Sequence, residues 1–187
     1  AKEKNRKDYA EAYFPIADKK GNTAMQIVTS GPDDEDQTIK MGFLKMISQA
    51  KESIYIQTPY FIPDESLHEM LKIAVLSGVK VKIMIPSKPD HPFVYRATEY
   101  FAKDIVEYGA EVYMYQNGFL HSKVMVVDDE IVSVGTANMD VRSFKLNFEI
   151  NAFIYDRDVA EELIANFDED QKNCIRATHD YFAKQSK

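Results

Sequence analysis

The chain has 187 residues, 45% of them hydrophobic, and a formal net charge of -7 at pH 7. This length and composition suit one domain with one core, while the acidic balance argues against nucleic-acid binding driven by overall charge. The single cysteine, Cys174, excludes an internal disulfide and cannot alone make a structural zinc site. No apolar run approaches the roughly 20 residues of a membrane span, and no signal peptide opens the chain, so we expect a soluble polypeptide.

Residues 1–22 are mostly charged and small and end in a Gly-Asn turn signal, so we interpret them as a linker or lead-in. A single domain then covers residues 23–187. The patterns predict, in chain order, strand 24–30, helix 37–50, strand 53–57, a helix capped by Asp64, strand 79–85, helix 94–108, strand 110–115, a buried strand at 124–127, a returning strand 131–136, strand 150–155, helix 158–167 and helix 170–184. This alternation, followed by a hairpin, predicts an α/β fold whose mixed, mostly parallel sheet is flanked by helices on both faces.

Three features of this pattern give predictions about single side chains. His68 lies off the apolar stripe of its helix, which predicts a solvated residue. Lys80 and Lys82 share one face of an alternating strand, where we interpret them as exposed charges that discourage edge pairing. The aromatic loop 59–63 is compatible both with core packing and with lining a substrate mouth.

A histidine and a lysine stand before an uninterrupted apolar run. His121 and Lys123 are two residues apart on an extended segment, so their side chains should project from one face. An imidazole can attack phosphorus or transfer a proton, and an ammonium beside it neutralises phosphoryl oxygens. Asn138, in the loop after Gly135, can hold the same oxygens through its amide. Together these residues predict phosphate-ester chemistry that needs no metal or other cofactor.

Two carboxylates accompany this set. Glu149 precedes the strand 150–155, whose end could lie beside His121, and a carboxylate there would fix the imidazole tautomer and stabilise the imidazolium. Asp128 lies five residues beyond Lys123, on the far side of the apolar strand. We expect Asp128 to order the turn more than to touch substrate.

The spacing H-x-K, four residues, D, six residues, G-T-x-N and then Asn147-Phe148-Glu149 resembles the signature of the phospholipase D superfamily, the HKD motif. The surrounding segments resemble the second half of the bacterial cardiolipin synthases. These segments are Phe119-Leu120-His121-Ser122-Lys123, Asn138-Met139-Asp140-Val141-Arg142-Ser143-Phe144 and Leu146-Asn147-Phe148-Glu149-Ile150. The resemblance implies a catalytic set of His121, Lys123, Asp128 and Glu149. It further implies that Lys123, Asn138 and Thr136 bind the substrate phosphate, Thr136 keeping the hydroxyl of the serine found in many relatives.

Active sites of the superfamily resemble a two-fold arrangement of two HKD motifs, in which one histidine forms a phosphohistidine and the other protonates the leaving alcohol. This chain carries one motif, so the resemblance implies a C-terminal catalytic half that needs the N-terminal half of the same enzyme as its partner. The implied reaction transfers a phosphatidyl group between two phosphatidylglycerol molecules, giving cardiolipin and glycerol. Whether His121 is the nucleophile or the general acid and base stays open.

The implied setting is the cytoplasmic side of the cell membrane, reached through parts outside this chain, with anionic phospholipid and not nucleic acid as the ligand. Phe61, Phe93 and Phe119 are candidates for meeting the membrane. The fragment alone is expected to be inactive. Two alternatives remain: a single-motif phosphodiesterase or nuclease that is active as a homodimer, and an inactive domain that binds lipid headgroups.

Overall fold

A computed structural model describes residues 16, 18, 20–88 and 90–185, so most of the predicted lead-in lies outside the described residues. Strands and helices alternate along the described chain. In order they are β1 (Ala24–Ser30), α1 (Thr38–Gln49), β2 (Ser53–Gln57), β3 (Phe61–Ile62), α2 (Glu65–Leu76), β4 (Lys80–Pro86), α3 (Pro92–Glu107), β5 (Glu111–Tyr115), β6 (Val124–Val127), β7 (Ile131–Gly135), β8 (Met139–Asp140), α4 (Val141–Lys145), β9 (Glu149–Tyr155), α5 (Arg157–Gln171), β10 (Cys174–Ala177) and α6 (His179–Gln185).

Eight of the described strands form one sheet in the order β1-β9-β7-β6-β2-β4-β5-β10, and β3 pairs with β8 in a separate small sheet. The neighbours β2, β4 and β5 pair in parallel, and the other neighbours in the large sheet pair antiparallel. Five strands, β1, β7, β2, β4 and β5, consequently point one way, and β9, β6 and β10 point the other. The predicted α/β class, with a mixed sheet between helices, is confirmed.

Helices cover the sheet on both faces. The larger core contains the buried faces of α1, α2 and α3 together with Phe144 of α4 and Phe182 of α6. Helix α5 covers the opposite face, where Ala160 packs near Val126 and Val132 and where Phe167 packs near Met84. The central strands β2, β4 and β6 are nearly continuous apolar runs because helices exclude water from both of their faces.

This second layer corrects the prediction for Lys82. Lys80 is exposed as expected, but Lys82 is only 8% exposed. Its ammonium lies 3.5 Å from an Asp168 carboxylate oxygen and 5.0 Å from the centre of the Tyr55 ring. The alternation predicts an open face, whereas α5 closes that face and supplies the counter-ion, and Tyr55 of the adjacent strand β2 supplies the aromatic neighbour.

The prediction that His68 is solvated is also wrong. His68 is 6% exposed, and its Nε2 lies 2.7 Å from Asp104 Oδ2 on α3. The ring also lies edge-on to Phe101, 5.2 Å between centroids. A single apolar stripe predicts burial on one side of a helix, but α2 packs against the sheet on one side and against α3 on another.

The predicted helix 170–184 is a further error in the fold, beside the short elements β3, β8 and α4, which the patterns did not predict. Helix α5 runs on to Gln171, and the chain then forms β10, which pairs antiparallel with β5 at the sheet edge, before the short α6. The pairing joins Ile175 to Met114 and Ala177 to Val112. An unpaired edge of β5 offers backbone hydrogen bonds that outweigh the local helical pattern.

Candidate active site

The predicted phosphate-binding and catalytic residues, apart from Asp128, lie at the edge of the sheet where β2, β4 and β5 end. The segment 121–123 leads into β6, the Asn138 loop follows β7, and Glu149 opens β9. Because β6 and β9 run opposite to their neighbours, their first residues meet the last residues of β2 and β7. One edge of the sheet therefore gathers side chains that are widely separated in sequence.

Lys123 is the part-buried cation of this edge. Its Nζ donates a hydrogen bond of 2.9 Å to the carbonyl oxygen of His121, two residues earlier. Burial lowers the pKa of Lys123, and the carboxylates of Glu149 and Asp140 oppose this shift. A partly desolvated ammonium interacts more strongly with phosphoryl oxygens than a fully hydrated one.

The His121 imidazole is exposed and lies beside an aromatic row. The Phe119 ring is 5.8 Å from it and tilted by 32°, and the Tyr60 ring is 6.4 Å from Phe119. The Tyr60 hydroxyl donates to the Asp90 carboxylate, and burial together with this carboxylate raises the pKa of Tyr60 to about 12. Tyr60 is therefore a neutral hydrogen-bond donor close to the candidate site.

Core packing, one of the two interpretations of the aromatic loop, holds for Phe61, which is completely buried and cannot meet a membrane. Tyr60 lies beside Phe119, so its place in a substrate mouth stays a prediction. Phe93 and Phe119 are exposed, and their contact with the membrane stays a prediction.

Asn138 is held by contacts that sequence reasoning missed. Its Nδ2 donates to Asp140 Oδ2 at 3.1 Å, and its backbone N donates to Ser143 Oγ at 3.1 Å. The other Asp140 oxygen accepts from Ser143 N at 2.7 Å and caps α4. Since a carboxylate accepts only from the NH2 end of an amide, Asp140 fixes which way the Asn138 side chain faces. An aspartate three residues before a serine is a common helix-capping pattern, and this pattern was the one sequence signal for the contacts of Asp140.

Thr58 is a second residue that sequence reasoning missed. Its side chain is buried, donates to the Tyr60 carbonyl at 3.0 Å and accepts from Met139 N at 3.2 Å. The pairing of Phe61 with Met139 between β3 and β8 lies directly beside it. These bonds join the aromatic loop to the Asn138 loop.

Glu149 is near the predicted site but does not make the predicted contact. Its Oε1 accepts from Asn147 Nδ2 at 3.0 Å, and in the described part of the chain no hydrogen bond joins it to the His121 ring. The pairing of Glu149 with His121 stays a prediction. Thr136 uses its hydroxyl to accept from Ile150 N at 2.9 Å, so its phosphate-binding role is likewise still a prediction.

Asp128 lies at the other end of β6. Its carboxylate accepts from the backbone N–H groups of Lys51, Glu52 and Ser53 at 2.8, 2.8 and 2.9 Å. Five extended residues separate it from Lys123, a distance of roughly 16 Å. Asp128 is positioned to hold the start of β2 and is outside the group that meets at the site edge.

The described residues contain no group of three or more His, Cys, Asp and Glu side chains arranged to hold a metal ion. Within the same part of the chain, none of the helices has the length and apolarity that crossing a membrane requires.

A β-sheet of this order between helices, with an H-x-K segment and an asparagine loop at one edge, defines a phospholipase D-like domain. The family model described as cardiolipin synthase, PLD-like domain, matches residues 43–171. The chain therefore belongs to the phospholipase D-like domain family of cardiolipin synthase.

Curated relatives agree with this assignment. The chain is 57% identical over 182 residues to a cardiolipin synthase of Listeria welshimeri, covering 97% of this chain and 38% of that protein. It is 62% identical over 162 residues to the major cardiolipin synthase ClsA of Bacillus subtilis, covering 87% of this chain and 34% of that protein. The chain thus spans a little more than a third of the length of these relatives.

Two solved structures share the fold at low identity. A phospholipase D family member, Nuc from Salmonella typhimurium, matches with a TM-score of 0.73 and 22% identity over 84% of this chain and 99% of Nuc. The phosphatidylserine synthase of Haemophilus influenzae matches with a TM-score of 0.67 and 17% identity over 84% of this chain and 40% of its own. At these identities the likeness concerns the fold alone.

Proposed function

We propose that this chain is the second catalytic half of a cardiolipin synthase, which transfers a phosphatidyl group from one phosphatidylglycerol to another and releases glycerol. The observation that carries the proposal is the grouping of His121, Lys123 and Asn138 at one sheet edge, in a chain 57–62% identical to cardiolipin synthases. The three side chains supply the imidazole, the cation and the amide that a phosphoryl transfer needs.

The reaction has two displacement steps. In the first, an imidazole nitrogen forms a bond to the donor phosphorus while the bond to the glycerol oxygen breaks, and a second imidazole gives a proton to the leaving glycerol. In the second, the acceptor hydroxyl forms a bond to phosphorus as the nitrogen–phosphorus bond breaks, and its proton passes to the second imidazole. His121 supplies one of these two imidazoles.

Lys123 and Asn138 act on the charge that develops on the phosphoryl oxygens. The Lys123 ammonium is anchored on the His121 carbonyl oxygen, and the Asn138 amide is oriented by Asp140. Both groups are thus in place before substrate binds, so they need little reorganisation during the reaction. Glu149 is the carboxylate proposed to stabilise the imidazolium of His121.

The proposed partner is the half that carries the other HKD motif, together with anionic phospholipid as substrate. The relatives are more than twice as long as this chain, which leaves room for a second domain of the same size. The membrane location, on the cytoplasmic side, is proposed for the whole enzyme. By itself the chain holds half of an active site and has no transferase activity.

Sedimentation of the 187-residue chain, combined with transfer and phosphodiesterase assays, tests this proposal. We expect an inactive monomer that yields cardiolipin from phosphatidylglycerol when the partner half is present, in the same chain or added separately. His121→Asn should abolish this transfer, whereas the matched variant His179→Asn, at an exposed histidine that begins α6, should retain it.

Other outcomes support the alternatives. A homodimer that cleaves phosphodiesters with dependence on His121 would establish the single-motif enzyme instead. An assembled enzyme in which wild type and His121→Asn bind lipid equally and neither turns it over would establish an inactive headgroup-binding domain.

A further inference from the structure

An open groove lies at the end of β1 and the start of β9, with Glu149 in its wall. Its volume is about 470 Å³. Ser30, Asp33 and Asp34 line it from β1 and the loop that follows, and Phe148 lines it beside Glu149. The groove thus adjoins the proposed active site but contains none of the residues assigned to phosphate binding.

The Phe148 ring gives the groove an aromatic wall. The side chain is 74% exposed although it is large and apolar. It packs over Gly31, where an added Cβ would lie 2.6 Å from the ring atom Cδ1. Glycine therefore lets the ring rest directly on the backbone, and the exposed ring surface is available to a ligand.

Ser30 provides an observation that is independent of the acidic side chains. It pairs with Glu149 across the β1–β9 ladder, so the two side chains lie on the same face of the sheet. Ser30 is 3% exposed, and within the described residues its hydroxyl has no hydrogen-bond partner. Buried hydroxyls are normally paired, so this one indicates a missing partner beside Glu149.

The charge of the groove selects the chemistry of that partner. Asp33, Asp34 and Glu149 place carboxylates around it, and carboxylates accept hydrogen bonds from hydroxyl groups but repel phosphate. A neutral polyol meets all the requirements at once. Its hydroxyls donate to the Asp34 carboxylate and can pair with Ser30, while its C–H surface packs on Phe148.

We propose that this groove binds the neutral glycerol headgroup of the acceptor lipid and presents its terminal hydroxyl to the phosphorylated histidine. This inference rests on the proposed function and adds to it the place where the acceptor is recognised. In the transfer step the acceptor oxygen bonds to phosphorus, the nitrogen–phosphorus bond breaks, and the hydroxyl proton leaves to the second imidazole. An occupied groove also favours the polyol over water as the acceptor.

Competition between acceptors in the full-length enzyme tests the groove. The donor is phosphatidylglycerol, and the products are separated into cardiolipin, phosphatidylethanol formed with added ethanol, and phosphatidic acid formed with water. Asp34→Asn should lower the ratio of cardiolipin to phosphatidic acid by about tenfold, which corresponds to the loss of one charge-assisted hydrogen bond. Ser30→Ala should lower it by about fivefold. Ethanol, which has one hydroxyl, should be used by both variants as by wild type.

The matched control is Asp36→Asn. Asp36 lies in the same acidic loop but does not line the groove, so the product ratio should not change. Unchanged ratios in Asp34→Asn and Ser30→Ala would overturn the inference. Equal losses of all three products would also overturn it, because they would indicate a general defect. If Asp36→Asn lowers the product ratio as much as Asp34→Asn does, the effect comes from the charge of the whole loop, and the inference of a binding site is overturned.

A direct binding measurement separates this inference from the proposed function. Glycerol is titrated into the 187-residue chain, and the amide signals of Ser30, Gly31 and Phe148 are followed by NMR. We expect these signals to shift in wild type and in Asp36→Asn, and to shift much less in Asp34→Asn. If wild-type full-length enzyme transfers nothing, the proposed function fails while the titration still decides the groove. No shift with glycerol, or a shift with ethanolamine alone, would overturn the polyol assignment.

Discussion

Asp128→Asn separates a structural from a catalytic role for the aspartate of the motif. Asp128 Oδ1 accepts from the N–H groups of Glu52 and Ser53, and Oδ2 accepts from that of Lys51. An asparagine keeps one oxygen for the first two groups, places an NH2 against the third and removes the negative charge. The start of β2 should therefore be held less firmly, while the edge that carries His121 is untouched.

The size of this effect follows from the three bonds. A hydrogen bond to a charged group contributes about 1.5–3 kcal/mol, and these bonds lie at partly exposed positions. Losing one bond and weakening two should lower the free energy of unfolding by about 2–3 kcal/mol. For a chain of this length each kcal/mol shifts Tm by about 2–4 °C, so a decrease of about 5–10 °C is expected.

Urea unfolding of the 187-residue chain, followed by circular dichroism, measures this change. Asp129→Asn is the matched control, because Asp128 and Asp129 have φ angles of 52° and 54° and asparagine tolerates both. Equal destabilisation in the two variants would refute the role of the three amides. Transfer by full-length Asp128→Asn, measured well below its Tm, should stay within about twofold of wild type. A loss as large as that of His121→Asn would refute the structural assignment.

Three further predictions concern single side chains. Gly135→Ala should destabilise the chain by about 2–3 kcal/mol in urea unfolding, because the added methyl would overlap the Ile150 carbonyl oxygen; wild-type stability would contradict this. Cys174 should react with iodoacetamide at pH 8 much more slowly in the folded chain than in urea, since burial raises the pKa of its thiol to about 12. Tyr60→Phe should lose the bond to Asp90, and because the pKa of Tyr60 is raised from 10.0 to about 12, this stabilisation is complete below pH 10. The stability advantage of wild type over Tyr60→Phe should shrink as the pH rises from 10 to about 12, and a constant difference would exclude the shift.

Local patterns predicted the fold wherever one rule decided the outcome. The bounds of β1 and β2 agree with the predicted strands 24–30 and 53–57, and Asp64 caps α2 by accepting from Leu67 N. Turn or loop residues flank each of these elements, and the side chains that each element buries follow the periodicity of its apolar residues. The sequence periodicity therefore carried enough information for most of the sheet.

The errors arose where a second element changed the environment. Lys82 and His68 lie at positions that their own strand or helix presents as outward, and α5 and α3 then cover them. β10 forms because β5 has an open edge, a fact about a strand some sixty residues earlier in the chain. Such contacts are long-range, so no pattern within one segment contains them.

The candidate site divides in the same way. The spacing of the motif selects His121, Lys123, Asn138 and Glu149 as candidates. The spacing could not indicate that Asp140 orients the Asn138 amide, or that Thr58 joins the Asn138 loop to the aromatic loop 59–63 by hydrogen bonds. These are supporting contacts, and their geometry depends on how the loops meet at the sheet edge.

Hydrogen bonds hold some side chains of the motif but not others, and this difference affects how the site works. The cation and the amide are held by hydrogen bonds within the described chain, through the His121 carbonyl and through Asp140. The His121 ring is instead held by packing against Phe119. On the proposed function, a phosphoryl group bound by Lys123 and Asn138 therefore meets fixed partners, whereas the orientation of the imidazole is left to a later contact. On our proposal Glu149 supplies that contact once the other half and the substrate close over the exposed edge, which couples the basicity of His121 to assembly of the complete site.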